Sequence, residues 1–295
     1  MSSEANIRTY ESIVLSPREI EHLVQIISEK IRKLALVVDA KVVNLKHTRS
    51  GWIVSDSHGP VAEGRVLIAA GGRAAGSLLK VAGVSPQEGK GIDLGVRLEF
   101  LDRHAVQKLR ARGPDAKVLL GSTRTFCLNH PGTIFRYAFQ DISIPGGIVA
   151  DEVEPRANFG ILTRVQGKAV ALAQALDYLK TVPRSEYERA PVVKGIPDLQ
   201  LPMIQSAYGK AVAQRLSTFA ETLGELGLVD WEQEYRIHFP LLDWHWDVFA
   251  VGDTHRTAQP DLFVAGDAAG HARGLLQAAV SGRLAASEAL AYAGI

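Results

Sequence analysis

The fold turns on one stretch near the C-terminus: Leu262-Phe263-Val264-Ala265-Gly266-Asp267-Ala268-Ala269-Gly270-His271-Ala272-Arg273-Gly274-Leu275-Leu276-Gln277-Ala278-Ala279-Val280-Ser281-Gly282. Its apolar opening reads as a strand buried on both faces. The strand ends at Gly266-Asp267, crosses a Gly-rich loop and enters an Ala-rich helix expected over 274–293. Glycines let backbone approach a ligand without a Cβ clash. An acidic side chain at a strand end accepts hydrogen bonds from sugar-like hydroxyls. Free N–H groups at the helix start, with the helix dipole, favour negative charge. Small residues at Ala278, Ala279 and Gly282 suit close packing of that helix.

A second apolar run, Arg65-Val66-Leu67-Ile68-Ala69-Ala70, stops at Gly71-Gly72 and also reads as a buried strand. Short strands joined by tight turns precede it, with turns at Ser50-Gly51 and His58-Gly59-Pro60, and 35–45 is rich in Val and Leu. Upstream, Ser16-Pro17-Arg18-Glu19 has the N-cap, first-turn proline and third-position Glu of a capping box. Ile20, Leu23, Val24, Ile27, Ile31 and Leu34 follow at helical spacing, so a helix is expected over 17–34. Strand-like runs lie near 94–100, 133–139, 159–165, 235–239 and 244–251, and helical patterns near 167–180 and 204–227.

The Gly-Asp segment resembles the C-terminal FAD-binding motif of two-domain FAD-dependent oxidoreductases. By that resemblance Asp267 contacts the ribityl chain, and Gly266, Gly270, Gly274, Leu275 and Leu276 supply backbone near the flavin. The helix start then faces the N1–C2=O edge of the reduced ring and tunes its electronics. Val66 to Gly72 resembles the "Ala-Thr-Gly" strand end of the same superfamily, with Ala70 where Thr is usual, so Ala70 and Gly71 join the cofactor set. Asp93-Leu94-Gly95-Val96-Arg97-Leu98-Glu99, Arg124-Thr125-Phe126-Cys127 and Asn158-Phe159 are similar to segments of a family of uncharacterised FAD-dependent dehydrogenases. The resemblance spans roughly 17–293.

That family opens with a strand, a G-x-G-x-x-G turn and a helix. Gly71-Gly72-Arg73-Ala74-Ala75-Gly76, Gly89-Lys90-Gly91 and Gly146-Gly147 lack that spacing. The expected fold is therefore α/β: an incomplete FAD/NAD(P)-binding Rossmann-like domain, 1–92 plus 240–295, with an inserted α+β substrate domain, 93–239. Without the pyrophosphate cradle the chain is expected to bind FAD weakly, with apolar sheet edges and faces uncovered. Three accounts stand: a split enzyme whose protein partner carries the G-x-G-x-x-G half, a truncated reading frame, or a degenerate non-catalytic paralogue acting as a scaffold. The split enzyme is favoured, because the flavin-side motif is intact. The implied chemistry is hydride transfer through flavin N5 to or from a small-molecule substrate.

Composition narrows the rest. With 295 residues, 46% hydrophobic and 22% charged, the chain is neither disordered, collagen-like nor a coiled coil throughout, and its length suggests two domains. Balanced charge, 33 Lys+Arg against 32 Asp+Glu, argues against nucleic acid and so against a flavin-dependent RNA-modifying enzyme. One cysteine, Cys127, excludes an intrachain disulfide and a multi-cysteine metal site, and no His/Asp/Glu spacing suggests a metal. No signal peptide or spanning run is read, so the default is a soluble cytoplasmic protein.

Candidate catalytic residues are Arg97, Arg124, His271 and Arg273. Arg97 and Glu99 share a strand face, so either they meet substrate with Arg124 or they form a structural ion pair. His271 and Arg273 sit near the flavin edge or are solvated loop charges. Asp267 is a ligand or a plain helix N-cap. Cys127 is a redox thiol or a small buried apolar residue. Trp244-His245-Trp246, read as strand, puts both indoles on one face for stacking or for core packing. His238 and His255 read as structural or solvated.

Overall fold

A computed structural model describes residues 5–9, 13–71, 75–249, 251–270 and 274–294. The chain forms a mixed α/β structure of two compact units: Met1–Lys30 with Gly91–His245, and Ile31–Lys90 with Trp246–Ile295. The sequence borders at 92/93 and 239/240 lie close to these, but residues 1–30 group with the large unit instead of the Gly-Asp unit. There Asn6–Arg8 adds an edge strand to Lys117–Leu120.

The large unit is built on a seven-stranded sheet, antiparallel throughout: Asn6–Arg8, Lys117–Leu120, Thr123–Asn129, Ala157–Val165, Ile92–Phe100, Tyr235–Asp243 and Val192–Val193. All nine residues of Ile92–Phe100 are buried, as expected of a strand covered on both faces. Leu94, Val96, Leu98 and Phe100 share the core with Phe159, Ile161, Leu216 and Phe219. A separate hairpin pairs Gly132–Phe139 with Ile142–Val149. The unit also holds the helices Lys168–Thr181, Pro202–Tyr208 and Lys210–Glu225, among others, and most of the helix Pro17–Leu34. The single helix expected over 204–227 is thus two. Gly209, at φ +84°, breaks it with a conformation a helix interior cannot adopt.

The small unit holds a meander of Asn44–Thr48, Gly51–Asp56 and Gly59–Gly64, and the parallel pair Leu67–Ala70 and Leu262–Ala265. Its core joins Leu45, Trp52, Leu79, Phe249, Leu262 and Val264. The Val/Leu-rich stretch expected as strand becomes regular only at Asn44; residues 36–43 are not strand, although the Val43 N–H donates to Ser55 O at 2.9 Å. Among the described residues of 244–251, only Val248–Phe249 is strand. Trp244 takes φ +59°, which ends the extended run and removes the shared-face geometry expected of the two indoles.

Candidate functional site

The Gly-Asp turn sits where two parallel strands end together. Ala265 pairs with Ala70, so Gly266 and Gly71 leave the sheet side by side. The Gly71 N–H donates to Ala265 O at 3.4 Å, and the Ala268 N–H donates to Gly71 O at 3.3 Å. Gly266–Ala269 is a tight helical turn that ends at Gly270 in the left-handed region, φ +75°. Glycine is required there twice over, since a Cβ would meet Val248 Cγ1 at 2.5 Å. Gly274, at φ +142°, then starts the helix Leu275–Ala293.

Asp267 is half-buried, and no described residue donates a hydrogen bond or ion pair to its carboxylate. It is not a helix N-cap: Ala265 precedes its own turn and Gly274 precedes the long helix, neither with a side-chain cap bond. That disposes of the plain capping account. Leu275 and Leu276 are exposed at the helix start, Leu276 by 75%. The structure therefore brings Ala70, Gly71, Gly266, Asp267 and Gly270 together at one strand-pair end, with Gly274, Leu275 and Leu276 opening the next helix. His271 and Arg273 lie outside the described residues.

Sequence reading missed what holds the turn. Ser281, buried one helical stretch downstream, accepts the Gly266 N–H on its Oγ at 3.0 Å. His255 Nδ1 lies 3.0 Å from Val264 O and 3.4 Å from Ser281 Oγ. The carbonyl can only accept, so Nδ1 carries the proton. The signal was present as one of two serines, Ser281 and Ser287, in an Ala-rich helix. Its partner, a backbone N–H fifteen residues earlier, leaves no mark in sequence.

The packing face of that helix also differs from expectation. Ser281, Ala285 and Ala289 are buried, whereas Ala279 is exposed and a Cβ on Gly282 would meet nothing within 4 Å. The i, i+4, i+8 ridge faces the strands, and Ala285 and Ala289 pack with Phe263 and Ala265. Two apolar grooves open on this unit. One, of about 300 Å³, includes Val42, Leu67, Ile68, Ala70 and Gly71 in its lining. The other, of about 340 Å³, is lined by His255, Leu276, Gln277, Val280, Ser281 and Leu284. Neither is lined by Asp267.

Arg97, Glu99 and Arg124 lie in the antiparallel unit. Arg97 is 1% exposed; its Nε donates to Asn158 Oδ1 at 2.8 Å and its Nη2 to Cys127 O at 2.9 Å. Burial pushes its pKa down to about 10, so it remains cationic at neutral pH. Gly147 lies against the guanidinium with no room for a Cβ. The Arg97–Glu99 ion pair allowed by the sequence does not form. Glu99 instead meets Arg156 at 3.3 Å, Arg236 at 3.6 Å and His238 at 3.1 Å. Opposed residues on neighbouring strands approach more closely than i, i+2 neighbours, and Arg236 is directly opposite Glu99. Burial pushes the Glu99 carboxyl up, but the bond from His238 and the nearby arginines outweigh it and hold it below the usual range.

Arg124 Nη2 donates to Asp93 Oδ2 at 2.7 Å and lies 3.7 Å from Asp243. Arg164 makes two further bonds to Asp93, which is 1% exposed. Arg124 is thereby fixed as one arm of a carboxylate clamp. Cys127 is exposed at φ +45°, so it is not the small buried apolar residue the sequence allowed. Among the described residues no group of three His, Cys, Asp or Glu could hold a metal, and no helix is long and apolar enough to cross a membrane.

No protein-family model matches the chain, and no curated protein matches it. Among solved structures it is similar to one described as "Crystal structure of CtdE in complex with FAD and substrate 4". That likeness covers 92% of this chain and 55% of the other, at 11% identity and a TM-score of 0.31. The chain spans little more than half the length of that protein.

Proposed function

We propose that the chain is the flavin-side portion of an FAD-dependent oxidoreductase of Rossmann-like design, completed by a polypeptide segment that carries a G-x-G-x-x-G turn. The supporting observation is the double strand end at Gly71 and Gly266. Its backbone is knitted by the Ala268-to-Gly71 bond, and the adjoining Asp267 carboxylate is bound by no described residue. Three glycines at positive φ, Gly266, Gly270 and Gly274, keep side chains out of the approach.

These residues fit a flavin. Asp267 accepts hydrogen bonds from ribityl hydroxyls. Gly71 and Gly266 allow close backbone approach. The first N–H groups of Leu275–Ala293 supply a positive field, because no side chain caps them. Ser281 holds the turn in place through Gly266. FAD, when bound, accepts or returns a hydride; the protein's residues position it and set its electrostatic surroundings. The completing segment would cover Ile68, Val280 and Leu284, all exposed on this unit. Arg97 and Arg124, both engaged inside the antiparallel unit, serve this reading as framework residues of the substrate domain.

The test is purification of the full chain with and without a co-expressed G-x-G-x-x-G segment, scored by retained flavin absorbance. The account expects a yellow complex with the segment, a weakly binding chain without it, and loss of colour in Asp267→Ala. Colourless protein in every case contradicts it.

A further inference from the structure

We propose that the helix Pro17–Leu34 is a self-association element that pairs antiparallel with the same helix of a second copy of this chain. Ile20, Val24, Ile27, Ile31 and Leu34 are spaced 4, 3, 4 and 3 residues apart. That is the spacing of successive a and d positions in a heptad, so the five side chains form one seam. The helix is about 27 Å long at 1.5 Å per residue. None of its 18 residues is buried, and the seam residues are between 43% and 88% exposed. An unbroken apolar stripe of this kind marks an interaction site rather than ordinary surface.

Charge selects the occupant. The first half, residues 17–25, carries Glu19 and Glu21 against Arg18; the second, residues 26–34, carries Lys30, Arg32 and Lys33 against Glu29. Glu19 is held anionic, because the Ser16 backbone N–H and hydroxyl lower its carboxyl below the usual range. Two copies laid antiparallel set the acidic start of each beside the basic end of the other. The two-fold axis repeats that match, whereas a parallel pair would stack like on like. A membrane surface fits less well: the helix has no aromatic residue and its charged face carries Glu29 among the cations. A two-helix seam is at the small end of specific interfaces, so the dimer dissociates on dilution.

Sedimentation velocity of the full chain over a concentration series tests this. The expected result is a monomer–dimer equilibrium. Ile27→Glu yields a monomer with an unchanged circular dichroism spectrum, since that side chain is 43% exposed and none of the helix is buried. Glu21→Lys weakens the dimer about threefold to tenfold, and adding Arg32→Glu, on the flank that an antiparallel partner sets beside Glu21, restores much of the loss. A wild-type chain that is monomeric at every concentration overturns the proposal. So does a dimer indifferent to Ile27→Glu, or an Ile27→Glu chain that unfolds, which would place the seam inside the chain's own fold. A monomeric chain that binds phosphatidylcholine–phosphatidylserine vesicles through the same residue overturns it in favour of a membrane surface. This inference does not depend on the flavin reading.

Discussion

Ser281 and Glu99 are side chains whose partners decide their roles. Ser281 gives the Gly266 N–H an acceptor at 3.0 Å in a buried setting. Ser281→Ala leaves that donor unsatisfied and costs about 1–3 kcal/mol of stability, read as a lowered denaturant midpoint. It also weakens flavin retention, because the turn carrying Asp267 loses its tether. Ser281→Thr, which keeps a hydroxyl, loses less. Glu99 is a carboxyl held below its usual range, so it contributes stability above its unfolded pKa of about 4.3 and loses it as pH falls through the lower folded value. The stability gap between wild type and Glu99→Gln is therefore widest above about pH 5 and narrows on further acidification. Denaturant melts across that range check this; a gap that grows as pH falls has the wrong sign. Neither role was legible beforehand. The sequence places Arg97 and Glu99 on one face, but cross-strand partners are set by register, which composition does not encode.

Elements were most readable where local chemistry alone determines them. The helix Pro17–Leu34 starts where the Ser16/Glu19 pair places it, with both reciprocal bonds made, at 2.7 and 3.3 Å. Since the helix buries no residue, its stability leans on local terms. Ser16→Ala should cost about 1 kcal/mol and fray the first turn, seen as faster amide exchange at residues 18–21 with little change elsewhere. The Gly-Asp strand, turn and helix were legible for the same reason: an apolar run, glycines and an Ala-rich helix are local signals. The pause at Gly209 and the turn at Trp244 were not. One is a glycine inside a helical pattern, and the other a positive φ at a bulky residue that only its surroundings can enforce.

At the scale of the whole molecule, the two units differ in what they bury. The antiparallel unit has a central strand buried at every residue and a large continuous core. The Gly-Asp unit has smaller clusters, and its parallel pair leaves Ile68 exposed, as do Val280 and Leu284 on the following helix. Native-state hydrogen exchange should therefore be slowest in Ile92–Phe100 and distinctly faster in Leu67–Ala70 and Leu262–Ala265. A completing segment should slow the second set and leave the first unchanged. Uniform protection across both sets would contradict this uneven distribution of stability. The extent of the antiparallel sheet is not legible in the sequence, because its pairing joins segments more than a hundred residues apart, as Tyr235–Asp243 with Ile92–Phe100.

Whether the turn at Gly266-Asp267 holds a flavin, as proposed, is decided by an FAD fluorescence titration of the full chain in the presence of a G-x-G-x-x-G segment, wild type against Asp267→Ala. Loss of the carboxylate's hydrogen bonds, at about 1.5–3 kcal/mol, should raise the dissociation constant roughly 10- to 100-fold, with circular dichroism unchanged. Equal affinity of the two proteins for FAD would contradict the account.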